Sequence, residues 1–145
     1  MRCFMFERIL VAFDGTNAGG QAFMAGLAIA KWFGGEIYLC SVIEHLVRQS
    51  FVLKGAVDDI IDHATKHFEL TQKPLLQRAE REGVKVTSHI VPGRAVEKIL
   101  QFAEKEHISV IVIGGLGQSH LLRWDSRGTG MQIASRAPCM VVVAR

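Results

Sequence analysis

No apolar run in this chain reaches the roughly 18 residues that a membrane-spanning helix requires. Cysteine is scarce: Cys3, Cys40 and Cys139 are odd in number, widely spaced, and form neither a CxxC pair nor a cluster with histidine. That argues against a disulfide framework and a structural zinc site. Cys40 and Cys139 fall inside apolar runs, so reduced, buried thiols are expected. A basic stripe interleaved with aromatics is missing, and the net charge is only +3, which disfavours nucleic acid as a partner. Known phosphate motifs are missing too. There is no G-x4-GK-(S/T), and no G-x-G-x-x-G follows the first apolar run. No Ser-His-Asp or Cys-His arrangement can be argued either, so catalysis finds little support.

What is present is a chain of 145 residues, 49% hydrophobic and only 21% charged, which is a composition opposed to disorder. Its length suits one domain, 1–145. Glu7 comes too early for the apolar centre of a signal peptide, and a soluble, cytoplasmic protein is expected.

Short β-rich runs alternate with stretches of helical period. Strands are expected at 8–13, 36–43, 84–91, 108–113 and 138–144, and helices at 17–33, 94–106 and 129–135. Gly34-Gly35 stops the first helix. A polar loop is expected at 44–55. The long helix after it carries Val57, Ile60, Ile61, Ala64 and Phe68 on one face. Pro74 is expected to kink or break this helix near Gln72, and Gly83 to end it. Strands alternating with helices predict an α/β fold: parallel strands, right-handed crossovers and helices on both faces.

In such sheets, ligands bind beyond the carboxyl ends of the strands, where strand order reverses. The two most apolar runs end at Phe13 and Ile113, followed by Asp14-Gly15-Thr16 and Gly114-Gly-Leu-Gly117. Glycines let the backbone approach a ligand and aim successive N–H groups at an anion. Gly128-Thr129, at the start of the last helix, adds unpaired N–H groups and a favourable dipole. A glycine after a strand is equally the mark of a turn, and Asp14 before Gly-Thr equally a turn or capping residue. Arg123 and Arg127 read as solvated loop residues or as charge for phosphates. Asp59, His63 and His67 share a helix but lack a further strong ligand, so a solvated face is expected. A receiver domain would need an aspartate after the third strand, where this chain has Val91-Pro92-Gly93.

Asp14-Gly15-Thr16, Gly114-x-x-Gly117, Gly128-Thr129 and the ending from Ala137 to Val143 together resemble the universal stress proteins, from about Glu7 to Arg145. The family's nucleotide-binding branch carries G-x2-G-x9-G-(S/T). Here ten residues separate Gly117 from Gly128, so the loop is one longer, and Gly130 stands where a larger residue is usual. The resemblance implies strand order 3-2-1-4-5, an adenine nucleotide (ATP, or ADP or AMP, with or without Mg2+), and a homodimer through Met140 to Ala144. It implies Asp14 against the adenosine with Ala12 and Phe13 beside it, and Val42 meeting the base through its backbone. Ile113, Gly114 and Gly117 would line ribose and phosphates, and Gly128, Thr129 and Gly130 would hold phosphate oxygens. Three functions stay open: a nucleotide-binding regulatory module in stress response, a weak ATPase or related adenine-nucleotide hydrolase, and a stress protein working through protein contacts alone. An uncovered final strand would risk aggregation, which independently favours the dimer.

Overall fold

Five apolar runs become five parallel strands because a helix in each of the four connections carries the chain back across the sheet. The computed structural model describes residues 4–44, 54–115 and 128–145. After a single 3-10 turn at Phe4–Phe6 come β1 (Arg8–Ala12), α1 (Asn17–Phe33), β2 (Glu36–Ile43) and α2 (Lys54–Arg81). β3 (Val86–Pro92), α3 (Ala95–Lys105), β4 (Val110–Gly114), α4 (Thr129–Arg136) and β5 (Met140–Ala144) complete the order. The sheet runs β3-β2-β1-β4-β5, and each adjacent pair is parallel. Strand order reverses between β1 and β4, so the carboxyl ends of these two strands form the switch point.

β1 and β4 are the most apolar runs because both of their faces are covered. Ile9, Leu10 and Val11, and Val110 to Ile113, are all fully buried. Their side chains alternate between two cores. Ile9, Val11, Ile37, Leu39 and Val112 meet Phe23 and Leu27 of α1 and Ala79 of α2. Leu10, Cys40, Val42, Ile111 and Ile113 meet Ala95 and Ile99 of α3 and Ile133 of α4. The outer strands are more exposed: Met140 and Val143 of β5 keep 45% and 36% of their surface.

The caps follow the residues that favour them. Thr16 Oγ1 accepts from the Gly19 amide at 3.3 Å and opens α1. Gly34 closes it with φ 72°, a left-handed turn that glycine adopts without steric cost, and its amide reaches the Ala30 carbonyl. Gly83 takes a similar φ of 73° after α2.

Of the kink or break expected near Gln72, the break does not occur: the helix is continuous from Lys54 to Arg81 with Pro74 inside it. Proline removes the donor for the carbonyl four residues earlier, at Leu70. Leu70 lies on the solvent side of the helix, 71% exposed, while Gln72, Leu75, Leu76 and Ala79 hold the flanking turns onto the sheet. The amino-terminal half of α2 packs less than its pattern suggests, with Val57, Ile61, Ala64 and Phe68 half-buried and Ile60 38% exposed. Of the thiols, Cys40 is buried, Cys139 only half-buried, and Cys3 lies outside the described residues.

α3 is pressed onto the outer sheet by a ring cluster. Phe102 meets His89 of β3 at 4.5 Å between centroids and Tyr38 of β2 at 5.5 Å. His89 Nε2 is buried with no hydrogen-bond partner among the described residues. Burial holds this imidazole below its usual 6.5, with Glu106 opposing the shift and Lys105 adding to it. Well above pH 6.5 neither the folded nor the unfolded chain is protonated here, so the full stability is present. As pH falls below that value the unfolded chain takes the proton first, and stability declines until the lower folded value is passed. We expect the urea midpoint of the wild type to drop between about pH 7.5 and pH 5, and His89→Leu to remove part of that drop. Equal slopes for the two proteins would show that His89 does not titrate on unfolding.

Candidate functional site

The backbone ladder between β1 and β2 ends where the chain turns away at Asp14. Its last rung is Phe13 N–H to the Cys40 carbonyl, 2.9 Å. Asp14 Oδ1 then accepts from the Thr16 amide at 3.0 Å and from Thr16 Oγ1 at 2.5 Å. The turn role read for Asp14 is therefore real. It holds the half-buried carboxylate at the carboxyl end of β1, beside the first turn of α1. A carboxylate can accept about four hydrogen bonds, so a turn role and a ligand role are compatible.

A pocket opens at this point between α3 and α4. Ala12, Phe13 and Asp14 of the β1 end, Cys40 and Val42 of β2, Ala95 and Ile99 of α3, and Thr129 and Ile133 of α4 line it. The fold thus brings together five of the residues singled out in the sequence: Ala12, Phe13, Asp14, Val42 and Thr129. Others stand behind the lining. Ile113 is fully buried in the core beneath α3 and α4. Gly114 packs against the Ala18 carbonyl of α1, so closely that a Cβ would lie 2.4 Å from that oxygen. Gly128 is the N-cap of α4 and Gly130 is buried in its first turn. Gly117, Arg123 and Arg127 lie outside the described residues. Asp59, His63 and His67 are exposed on α2, and among the described residues no three His, Cys, Asp or Glu side chains gather as metal ligands.

Cys40, Ala95, Ile99 and Ile133 escaped the sequence reading as site residues. Their signal was periodicity alone: Cys40 and Val42 alternate on one strand, and Ala95–Ile99 and Thr129–Ile133 are spaced by four on helices. That pattern is the same for a core and for an apolar pocket wall. Burial pushes the Cys40 thiol up to about 12, so it stays protonated and serves as part of that wall.

Two of the helix amino termini at this edge contribute to the pocket lining, those of α3 and α4, and they differ in charge. Glu44, just past β2, accepts from the Ala95 amide through Oε1 at 2.9 Å, and Glu97 sits in the first turn of α3. α3 is thereby supplied with its own carboxylates. α4 has no acidic residue in its first turn, and its N-cap Gly128 makes no side-chain cap. Glu44 already occupies the α3 amino terminus, and Arg94 at its N-cap pairs with Glu97 at 3.6 Å, so of the two the first turn of α4 is the one that favours an incoming anion. The depression around Gln77, Glu80 and Arg81 offers no such chemistry, because it lies at the last turn of α2, whose carbonyls disfavour anions.

No helix of the described residues is long and apolar enough to cross a membrane. The family model for the universal stress protein family matches residues 5–145. Among curated proteins, the chain is 25% identical over 141 residues to universal stress protein MJ0531 of Methanocaldococcus jannaschii, covering 97% of this chain and 83% of that protein. It is 25% identical to universal stress protein YxiE of Bacillus subtilis, covering 97% and 100%. Among solved structures, UspA of Lactobacillus plantarum superposes with TM-score 0.85 at 22% identity, covering 97% of this chain and 98% of that one. A universal stress protein in complex with cAMP matches at TM-score 0.72 and 15% identity, covering 96% of each chain. The universal stress protein from Archaeoglobus fulgidus in complex with dAMP matches at 0.68 and 17%, covering 98% and 100%.

Proposed function

Because the chain belongs to the universal stress protein family, we propose that it is a regulatory module that binds an adenine nucleotide, ATP or its products, in the pocket between α3 and α4. The observation that carries this reading is the lining itself. Cys40, Val42, Ala95, Ile99 and Ile133 offer an apolar slot for a purine, and Asp14 and the first turn of α4, whose N-cap Gly128 supplies no side-chain cap, share the lining. Solved relatives in complex with cAMP and dAMP support the same class of ligand.

In this assignment the Val42 backbone meets the base, and Asp14 accepts from the ribose hydroxyls with Ala12 and Phe13 beside it. Gly114, Gly117, Gly128, Thr129 and Gly130 offer backbone and hydroxyl donors to the phosphates, and Ile113 supports them from beneath. Mg2+ would supply charge on the phosphates. β5 stands at the edge of the sheet with Met140 and Val143 exposed, which supports pairing of Met140 to Ala144 with a twofold-related copy.

Native mass spectrometry with and without Mg2+-ATP reads both features at once: we expect a dimer with one adenine nucleotide per chain. A chain that stays empty at millimolar ATP overturns the nucleotide reading and leaves a protein acting through contacts alone. Asp14→Ala is expected to weaken nucleotide binding about tenfold or more, since it removes a charged hydrogen-bond acceptor at the pocket wall. Unchanged affinity in calorimetric titration would confine Asp14 to its turn. Turnover of Mg2+-ATP above background, lost in the same variant, would favour the hydrolase instead.

A further inference from the structure

A hydrogen-bonded chain of side chains runs through the core behind the pocket, and the nucleotide reading gives it no role. Ser41 of β2 is fully buried and Gln72 of α2 is 1% exposed. Ser41 Oγ donates to the Phe13 carbonyl at 2.7 Å, Gln72 Nε2 donates to Ser41 Oγ at 2.8 Å, and Ser88 Oγ donates to Gln72 Oε1. The direction of donation is forced. With the Gln72 amide donating into Ser41 Oγ, the serine proton can point only at Phe13. A buried polar chain of this kind is stabilising only when every member is paired, as here.

The β1–β2 register shows what Ser41 displaces. Glu36 N–H donates to the Glu7 carbonyl at 2.9 Å, and in a parallel ladder the bonds repeat every two residues. Continued by that step, the Val42 amide would donate to the Phe13 carbonyl. Among the described residues no backbone bond joins these two groups, and the carbonyl accepts the Ser41 hydroxyl instead. Val42 and Phe13 both line the pocket.

We propose that Ser41, fixed by Gln72, is a positioning residue for the nucleotide: by drawing the Phe13 carbonyl towards its hydroxyl it holds that carbonyl away from the Val42 amide, which is left to donate to the edge of the base. This rests on the nucleotide reading above and adds to it the device that keeps the donor open. Without the hydroxyl, the ladder closes by one further rung and the site loses that donor.

The test is the double variant Ser41→Ala/Gln72→Leu, which removes both fully buried members, while Ser88, exposed on β3, can turn its hydroxyl to solvent. Ser41→Thr, which retains the hydroxyl, is the conservative control. Amide hydrogen exchange at Val42, measured by NMR on the ligand-free protein, should slow in the double variant, and affinity for AMP should fall about tenfold. Ser41→Thr should keep both values near those of the wild type. Val42 exchange unchanged in the double variant, or AMP affinity within about twofold of wild type, overturns the proposal, because one net hydrogen bond is worth more than that. A wild type that binds no adenine nucleotide overturns the nucleotide reading and the ligand half of this proposal. The exchange measurement, which needs no ligand, then decides the backbone half by itself.

Discussion

Replacing Phe23 by alanine is expected to lower the unfolding free energy by about 3–5 kcal/mol, the usual cost of emptying an aromatic site in a close-packed core. Phe23 is fully buried on α1 and meets the sheet face formed by Ile9, Val11, Ile37, Leu39 and Val112. β1 and β4 supply that face from both sides of the switch point, so no flexible neighbour can collapse into the cavity. Against a total stability of about 5–15 kcal/mol such a loss threatens folding at ordinary temperatures. Trp32, a larger ring on the same helix, is 83% exposed, and Trp32→Ala should change stability by no more than about 0.5 kcal/mol. Urea titrations of the two variants give the comparison directly. A Phe23→Ala loss no larger than that of Trp32→Ala would mean that α1 does not anchor this core.

Gly114→Ala is expected to cost about 3 kcal/mol or more, although it adds a single methyl group. The new Cβ would lie 2.4 Å from the Ala18 carbonyl oxygen and 2.7 Å from its carbon, so backbone would press on backbone. β4 is locked between β1 and β5, and α1 cannot retreat without dragging the Asp14–Thr16 turn that opens it. The same change at Gly20, where a Cβ meets nothing within 4 Å, should instead stabilise by about 0.5–1 kcal/mol through the better helix propensity of alanine. Thermal unfolding of both variants separates the two causes. A Gly114→Ala protein as stable as wild type would show that α1 slides freely on β4.

The glycine at 114 illustrates how one residue can answer to two readings. It follows a strand before a glycine-containing loop, which reads as backbone approach to an anion. The folded chain shows that α1 approaches first: Ala18 lies where a side chain would stand. Asp14 runs in parallel, since both a turn and a pocket wall use the same carboxylate. The loop glycine Gly117 and the two arginines near it fall outside the described residues, so that part of the sequence reading stands as it was.

Pro74 and Ser41 mark the limits of local reasoning. A proline inside a helical period predicts a kink or break because the cost is local, whereas the compensation is tertiary: Gln72, Leu75, Leu76 and Ala79 anchor the flanking turns. Ser41 sits in an apolar run and carries no motif. Only when Gln72, 31 residues away in sequence, is brought beside it does the hydroxyl acquire a fixed direction.

What the sequence by itself determined is the list of elements, their parallel sense, the two most buried strands and the caps of α1, all of which depend on side-chain period and on neighbours within a few residues. Strand order came with the family resemblance rather than from the period. Tertiary structure alone decided which apolar residues became pocket wall rather than core, which helix amino terminus took the Glu44 carboxylate, and which carbonyl Ser41 took. Each of these depends on groups far apart in the chain meeting at one edge of the sheet, and no local pattern encodes that meeting.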